Sequence, residues 1–476
     1  MNRFATKIMP IAAVVLLAIG CISCQRTQGN IQPLDEWTAM NGQQTVQGTE
    51  VTIGAGDTLK ADGDFRNFEL SGKFYATAQS EAALLFHSDG RKGYEVVFHN
   101  GPIDGSIKTG SLAAIRNLYR SLADDSTWTD FRIAVKGKNI SVSIGGTDVV
   151  CYTEPEHPYR SARYASRLID RGSFILTGKQ GSVSFKDMKV EALPDDARNV
   201  NDTLPAIDEQ NDSIIRLQQQ NFPVIDYHVH LKGGLTKEQA HAMSMNYGIN
   251  YGIAPNAGEG GIGRMLATDE EVYEYYKEVK PLPFLCGVQG EGRRWSTQFS
   301  PKSLGIFDYL FTDAMTIMDG GKRCRIYRPE EVHLNGRTKE EYMDLIVDQI
   351  EKILTNEPAD IYANPTFLPE IMNADYAKYW TEKRINRLLD VLEKYHIALE
   401  INPRYKIPSF DIIRKAKARG LKFTFGTNNE NSHFGKLEYA IRAIHECGLT
   451  KDDIWFPSMS IRRERKVVDY NHFLKH

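Results

Sequence analysis

From residue 222 onward the chain repeats one pattern: a short apolar run, one or two polar residues, then a stretch of helical periodicity. The strand candidates are Val224 to Tyr227, Tyr251 to Pro255, Phe284 to Val288, Tyr309 to Thr312, Ile361 to Ala363, Ala398 to Ile401 and Lys422 to Phe425. Between them lie helix-like stretches at Lys237 to Tyr247, Asp269 to Val279, Lys339 to Leu354, Lys383 to Tyr395, Phe410 to Ala418 and Lys436 to Cys447. Parallel neighbours need a crossover connection, so this alternation implies a parallel sheet covered by helices. Seven strand signals suggest a barrel, although a doubly wound sheet gives the same pattern. The polar residues favour the barrel. After successive strands come His228 and His230, Asn256, Gln289 and Glu291, Asp313, Asn364, Glu400 and Asn402, and then Asn428 with His433 nearby. Ligands and catalytic groups of α/β barrels gather at the carboxyl ends of the strands.

The preceding region, residues 34–193, obeys a different period. Phe131, Ile133 and Val135 alternate with polar residues, as do Ile140, Val142 and Ile144 after Lys136-Gly137-Lys138-Asn139, and Gly145-Gly146 opens a turn before Val149. Further strand candidates are Phe68 to Tyr75, Ala82 to Phe86, Tyr94 to His99, Ser173 to Thr177 and Val183 to Val190. Many short alternating strands predict an all-β, two-sheet sandwich. Residues 194–221 are polar with a small apolar stripe at Ile214, Ile215 and Leu217, which reads as a linker carrying a short helix, and 222–476 form the barrel. A chain of 476 residues exceeds what one core serves, roughly 250 to 300 residues, so two cores are expected.

Within the barrel region Asp226-Tyr227-His228-Val229-His230 follows a strand and precedes Gly233-Gly234. Side chains alternate along a strand, so His228 and His230 share a face, and neutral imidazole is the commonest ligand of a transition metal. Glu291 and Glu400 add carboxylates, Glu400 on an otherwise apolar strand where an unpaired charge is costly. His433 completes the candidate ligand set, and Arg293 and Arg404 are candidates to neutralise an anionic oxygen during catalysis. One or two divalent ions, zinc, manganese or iron, are the expected cofactor.

Two resemblances sharpen these expectations. The runs Gly93-Tyr94-Glu95-Val96-Val97-Phe98, Thr109-Gly110-Ser111-Leu112, Trp128 to Ile133 and Phe185 to Val190 resemble the 3-keto-disaccharide hydrolase domain family, which implies a concanavalin-A-like jelly roll and action on oxidised glycosides. Glu95 is then a candidate acid, base or acceptor for sugar hydroxyls, and Arg116 and Asn117 are candidate substrate donors. The opening Asp226 to His230, with Ala398 to Asn402 and Gly420 to Asn428, resembles the PHP family (polymerase and histidinol phosphatase), which implies a distorted seven-stranded barrel holding metal ions for phosphoester hydrolysis. This chain departs from that family's pattern at Asn256, at Asn364 before Pro365, and at Asn428, and a neutral amide is a poor transition-metal ligand. Asn364 and Asn428 are therefore assigned to substrate.

The resulting expectation is a hydrolase of a carbohydrate or sugar-phosphate substrate, in which metal-bound water attacks a phosphoester or glycosidic bond. The alternative is a carbohydrate-binding protein with a catalytically silent barrel. A net charge of −3 without a long basic run gives no reason to expect nucleic acid. Four cysteines in the folded regions, Cys151, Cys286, Cys324 and Cys447, are too widely spaced to suggest a disulfide framework.

The first twenty residues read as a lipoprotein signal peptide: Arg3 and Lys7, an apolar stretch from Ile8 to Ile19, then Gly20-Cys21. Leu17 to Cys21 resembles a bacterial lipobox, and residues 21–33 form a tether, so the expected location is the bacterial cell envelope, with membrane contact through the lipid alone. Mass spectrometry of the mature N-terminus is expected to show a lipidated Cys21; an unmodified peptide that begins elsewhere refutes this.

Overall fold

The computed structural model describes residues 31–41, 45–47, 49–88, 92–199, 206–258, 263–432 and 434–461. Cys21 and His433 lie outside the described residues.

The first domain is a jelly-roll type sandwich of two antiparallel sheets. One sheet runs in the order Thr147–Thr153, Asn139–Ile144, Thr129–Lys136, Asn67–Ala76, Ser182–Leu193, Glu50–Gly54 and Thr45–Gln47, with Ile31–Pro33 also paired to Ser182–Leu193. The other runs Thr38–Asn41, Thr58–Phe65, Gly172–Gln180, Glu81–Ser88 and Tyr94–Phe98. The expected hairpins are present. Gly145 and Gly146 both have positive φ, 57° and 82°, the conformation a two-residue turn needs to match the strand twist. Between the sheets, Phe98 meets Phe74, Phe131 and Phe185 of the opposite sheet at ring distances of 4.9, 5.2 and 5.0 Å. Each ring removed from water contributes roughly 1.5 to 3 kcal/mol, which explains why the strand alternation was so legible.

The second domain is a closed barrel of seven parallel strands: Ile225–Val229, Asn250–Ile253, Leu285–Glu291, Tyr309–Thr312, Ile361–Tyr362, Ala398–Ile401 and Phe423–Phe425. Each pairs with its neighbour in chain order, and Asp226 opposite Phe425 closes the ring. The longer helices between them begin on threonine or serine caps. Thr236, Thr268 and Thr338 each form a capping box with the residue three positions on, and Ser409 accepts from the Ile412 amide. A short hairpin, Thr316–Asp319 with Lys322–Arg325, follows the fourth strand, an insertion with no counterpart in the strand reading.

The linker is part of the packed structure. Helix Ser213–Gln219, capped by Asp212, buries Ile214 and Leu217 in the barrel core and Ile215 in the sandwich core. Arg116 and Asn117, expected to meet substrate, are corrected here: both are buried where the domains join. The Arg116 guanidinium lies over the Tyr152 ring at 5.0 Å and donates to the carbonyls of Met245 (3.2 Å) and Asn246 (2.7 Å). Asn117 donates its amide N–H to Gln218 Oε1 at 2.8 Å and accepts from Asn250 Nδ2 at 2.7 Å through its carbonyl. No helix among the described residues is long and apolar enough to cross a membrane. Arg116→Ala removes charge-assisted bonds and leaves buried carbonyls unpaired, an expected loss of about 3 kcal/mol. Differential scanning calorimetry is expected to resolve two separate transitions in this variant; an unaltered single transition counts against the junction as the coupling element.

Candidate functional site

Two pockets carry the residues singled out in the sequence. The first opens on the sandwich, beside Tyr94–Phe98. Tyr94, Val96 and Phe98 point into the core, as the strand period requires, and Glu95 faces outward into a cavity of about 300 Å³ lined also by Arg163, Tyr164, Arg167 and Lys179. Arg167 Nη2 is 2.6 Å from Glu95 Oε2, and Lys179 pairs with Oε1. Burial works against the Glu95 carboxylate, but Lys179 and Arg167 more than offset it and hold its pKa below the ordinary range. Arg167 is itself held over the Tyr164 ring at 4.5 Å. These basic partners were not anticipated. The signal was the spacing of Arg160, Arg163 and Arg167, a basic cluster in a segment without strand periodicity.

The second pocket lies at the carboxyl end of the barrel strands, a cavity of about 120 Å³. Its buried floor consists of His230, Asn256, Gln289, Asp313 and Asn364; half-buried Lys232, Glu291, Tyr327 and Tyr405 and the more open Arg404 form its sides and rim, with Asn428 between. The strand-end residues therefore converge as expected. A chain of amides fixes them. Asn402 Nδ2 and Asn428 Nδ2 each donate to Asn364 Oδ1 at 2.9 Å, and Asn364 Nδ2 donates to Asp313 Oδ2 at 2.9 Å. Gln289 Nε2 reaches both Asp313 Oδ2 (3.2 Å) and Glu291 Oε1 (3.5 Å). Asn364 and Asn428 have φ of 45° and 43°, the left-handed region that asparagine tolerates better than other side chains.

The charges in this pocket are displaced from their ordinary states. Burial and then the neighbouring Asp313 push the Glu291 carboxyl up to about 8, against the pull of Arg293. Burial likewise raises Asp313, opposed by Arg293 and by the Asn364 amide. Burial, and then Arg404, push the Lys232 ammonium down to about 8. His230 is lowered well below its ordinary value by burial, then by His228 and Lys232.

The expected metal shell is not assembled among the described residues. His228 and His230 do meet, with ring centroids 5.1 Å apart. His228 Nδ1, however, lies 2.7 Å from Glu400 Oε2 and Nε2 lies 3.1 Å from Gln289 Oε1. Each ring nitrogen of His228 thus already faces an oxygen, and an ion at Nε2 would have to displace the Gln289 amide. Glu400 also accepts from the Asn364 amide and from Asn402 Nδ2, both at 2.9 Å. Gly426 permits this arrangement, because a Cβ at that position would overlap the Glu400 carboxylate. His230 Nδ1 meets the Ala254 carbonyl at 2.7 Å, a contact that a metal-bound imidazole also makes, so His230 alone does not decide against an ion. Among the described residues no group of three or more His, Cys, Asp or Glu is arranged to hold a metal ion.

Arg293, expected at the reacting atoms, is also corrected. It is buried behind the floor, paired with Glu357 at 3.2 Å, and does not line the cavity. It acts on Glu291 and Asp313 through its field. Arg404 does line the cavity, donating to the Asn428 carbonyl at 3.0 Å.

Residues 29–191 match the family model described as a 3-keto-alpha-glucoside-1,2-lyase-like domain. No curated protein sequence matches the chain. Among solved structures, the sandwich region is similar to a Parabacteroides distasonis ATCC 8503 protein described as a "putative glycosyl hydrolase", at 14% identity and a TM-score of 0.30, over 33% of this chain and 88% of the other. It is also similar to the carbohydrate binding module CBM66 from Bacillus subtilis, at 15% identity and a TM-score of 0.25, over 34% of this chain and 98% of that one.

Removing one member of a buried hydrogen-bonded network leaves its partners unsatisfied, at about 1 to 3 kcal/mol for each such group. Glu400→Ala is therefore expected to lower the thermal midpoint strongly, while saturating zinc or manganese leaves the midpoint of the unaltered protein in place. A metal-bound native state would instead gain roughly 2.7 kcal/mol at one hundred times Kd, a shift that thermal denaturation with and without chelator would reveal.

Proposed function

We propose that the protein processes an oxidised glycoside in the sandwich pocket, with Glu95 as the proton acceptor. The observation that supports this most directly is Glu95 held between Arg167 and Lys179 inside a cavity, within the segment matched by the 3-keto-alpha-glucoside-1,2-lyase-like model. A ketone at C3 of a glucoside acidifies the C2 hydrogen. Transfer of that proton to Glu95 moves one negative charge from the carboxylate to the enolate oxygen, and Arg167 and Lys179 remain opposite one negative charge throughout. That continuity compensates for the weakness of a base with a depressed pKa, because the cations that depress it also stabilise the enolate. The enolate then reforms the ketone as the C1–O bond breaks and C1=C2 forms, and the departing glycosidic oxygen takes a proton from water, which is in turn reprotonated by Glu95 so that the carboxylate is restored.

Metal-assisted hydrolysis at the barrel, of a phosphoester or a glycosidic bond, would require His228 to give up Glu400 or Gln289, so that mechanism is not the one we favour. A lipid anchor at Cys21 would place the sandwich at the surface of the envelope. Binding without turnover is the outcome that would reduce the pocket to a carbohydrate-binding site.

Glu95→Gln is expected to lower turnover of a 3-keto-glucoside by roughly 10²- to 10⁴-fold, measured by the appearance of the unsaturated product. The acid limb of the rate profile should fall below the ordinary glutamate value of about 4.3, since Glu95 must be ionised to accept the proton and its pKa is depressed. Removing a cation raises that pKa, so Lys179→Met should move the acid limb to higher pH; a limb that stays in place rules out Glu95 as the base.

A further inference from the structure

The barrel cavity is not used by the chemistry proposed for the sandwich, yet it is a built site. Its size limits what enters. At the roughly 30 Å³ a water takes in the liquid, about 120 Å³ holds about four, so the enclosed part admits the inward half of a monosaccharide and the rest stands at the open rim. The lining suits a polyol: Asp313, Gln289 and Asn364 are 3, 4 and 2% exposed, the two amides fix Asp313 by donating to it, and the Asp313 and Glu291 carboxyl oxygens are the acceptors for hydroxyl donors. Two tyrosines, Tyr327 and Tyr405, supply apolar ring faces at the sides.

The charges are segregated by depth. Two cations, Lys232 and Arg404, stand at the half-buried sides and open rim, close enough to repel one another, while Asp313 lies on the floor with Glu291 above it. A ligand with one anionic group directed outward and hydroxyls directed inward satisfies both ends. A compact dianion such as phosphate would bring two charges toward the carboxyls of the floor, and a neutral sugar would leave the two rim cations with only the exposed Glu430, 3.5 Å from Arg404, as a counter-charge. A second cleft of about 360 Å³ shares Arg404 and Asn428 with the cavity, so further sugar units attached to the bound one have space outside.

We propose that the barrel's carboxyl-end cavity is a metal-independent binding site for a sugar acid, a monosaccharide carrying one carboxylate, held by Arg404 and Lys232 at the rim and at the floor by Asp313, which the Asn364 and Gln289 amides position. The site is separate from the sandwich pocket and does not depend on the chemistry assigned to Glu95.

Isothermal titration of the full chain in chelator, with D-glucuronate, D-gluconate, D-glucose and inorganic phosphate as probes, tests this. Glucuronate or gluconate should bind at least tenfold more tightly than glucose or phosphate. Arg404→Gln, at an exposed position that leaves the fold intact, should weaken that binding at least tenfold, whereas Glu95→Gln should leave it unchanged. Absence of heat with either sugar acid overturns the proposal, as does phosphate binding more tightly than both. Retained affinity in Arg404→Gln, or affinity lost in Glu95→Gln, would place the binding elsewhere and also overturn it. Thermal midpoints of each variant confirm that a loss of binding is not a loss of fold.

Discussion

An ionised carboxylate buried without a partner costs several kcal/mol, and the barrel places Glu400 1% exposed on an apolar strand. The mouth of the barrel is organised around meeting that cost. His228 crosses from the first strand to the sixth to pair with Glu400, the Asn364 amide and the Asn402 side chain satisfy the second oxygen, and Asn428 and Asp313 join through Asn364. Because His228 points its other nitrogen at Gln289, the same network orients the amide that touches both Asp313 and Glu291. A single buried charge thus determines which side chains remain available to the cavity.

The sandwich pocket solves the opposite problem. Its cations outnumber its carboxylate, and Glu95 is held ionised despite burial. The barrel cavity keeps its carboxyls in a water-poor setting where Glu291 gains a proton easily. One carboxyl group is thus held ionised and the other readily protonated. Pockets of such different electrostatic character on one chain argue for two ligands rather than one shared between them.

The element pattern was legible because burial enforces period. Tyr309–Thr312 and Ala398–Ile401, and the helices Lys237–Tyr247, Asp269–Val279 and Phe410–Ala418, were readable to the residue, and the convergence of strand-end polar groups followed from barrel geometry. Partner choice was not legible. His-x-His is the same string whether its imidazoles face an ion or a carboxylate, and the decision rested on Glu400 and Gln289, 172 and 61 residues away. Arg116 offered donors without showing that carbonyls of Met245 and Asn246 would take them. Tyr327 was missed because it follows a hairpin inserted after the fourth strand, where no barrel period applies. The asparagines at 364 and 428 looked like lost ligands, yet their left-handed backbone gives asparagine a conformational reason to be there.

The helix Ser213–Gln219 divides its apolar side chains between two cores, and the barrel closes only when Phe425 reaches Asp226. During synthesis the sandwich strands are complete once Leu193 has emerged, well before the last barrel strand leaves the ribosome. Ile214 and Leu217 must then wait, unburied, while some two hundred further residues are translated. A chain exported in the unfolded state would avoid that interval, because both cores could form together on the far side of the membrane. The shared helix thus makes the timing of folding, and not only its end state, a property that the two domains hold in common.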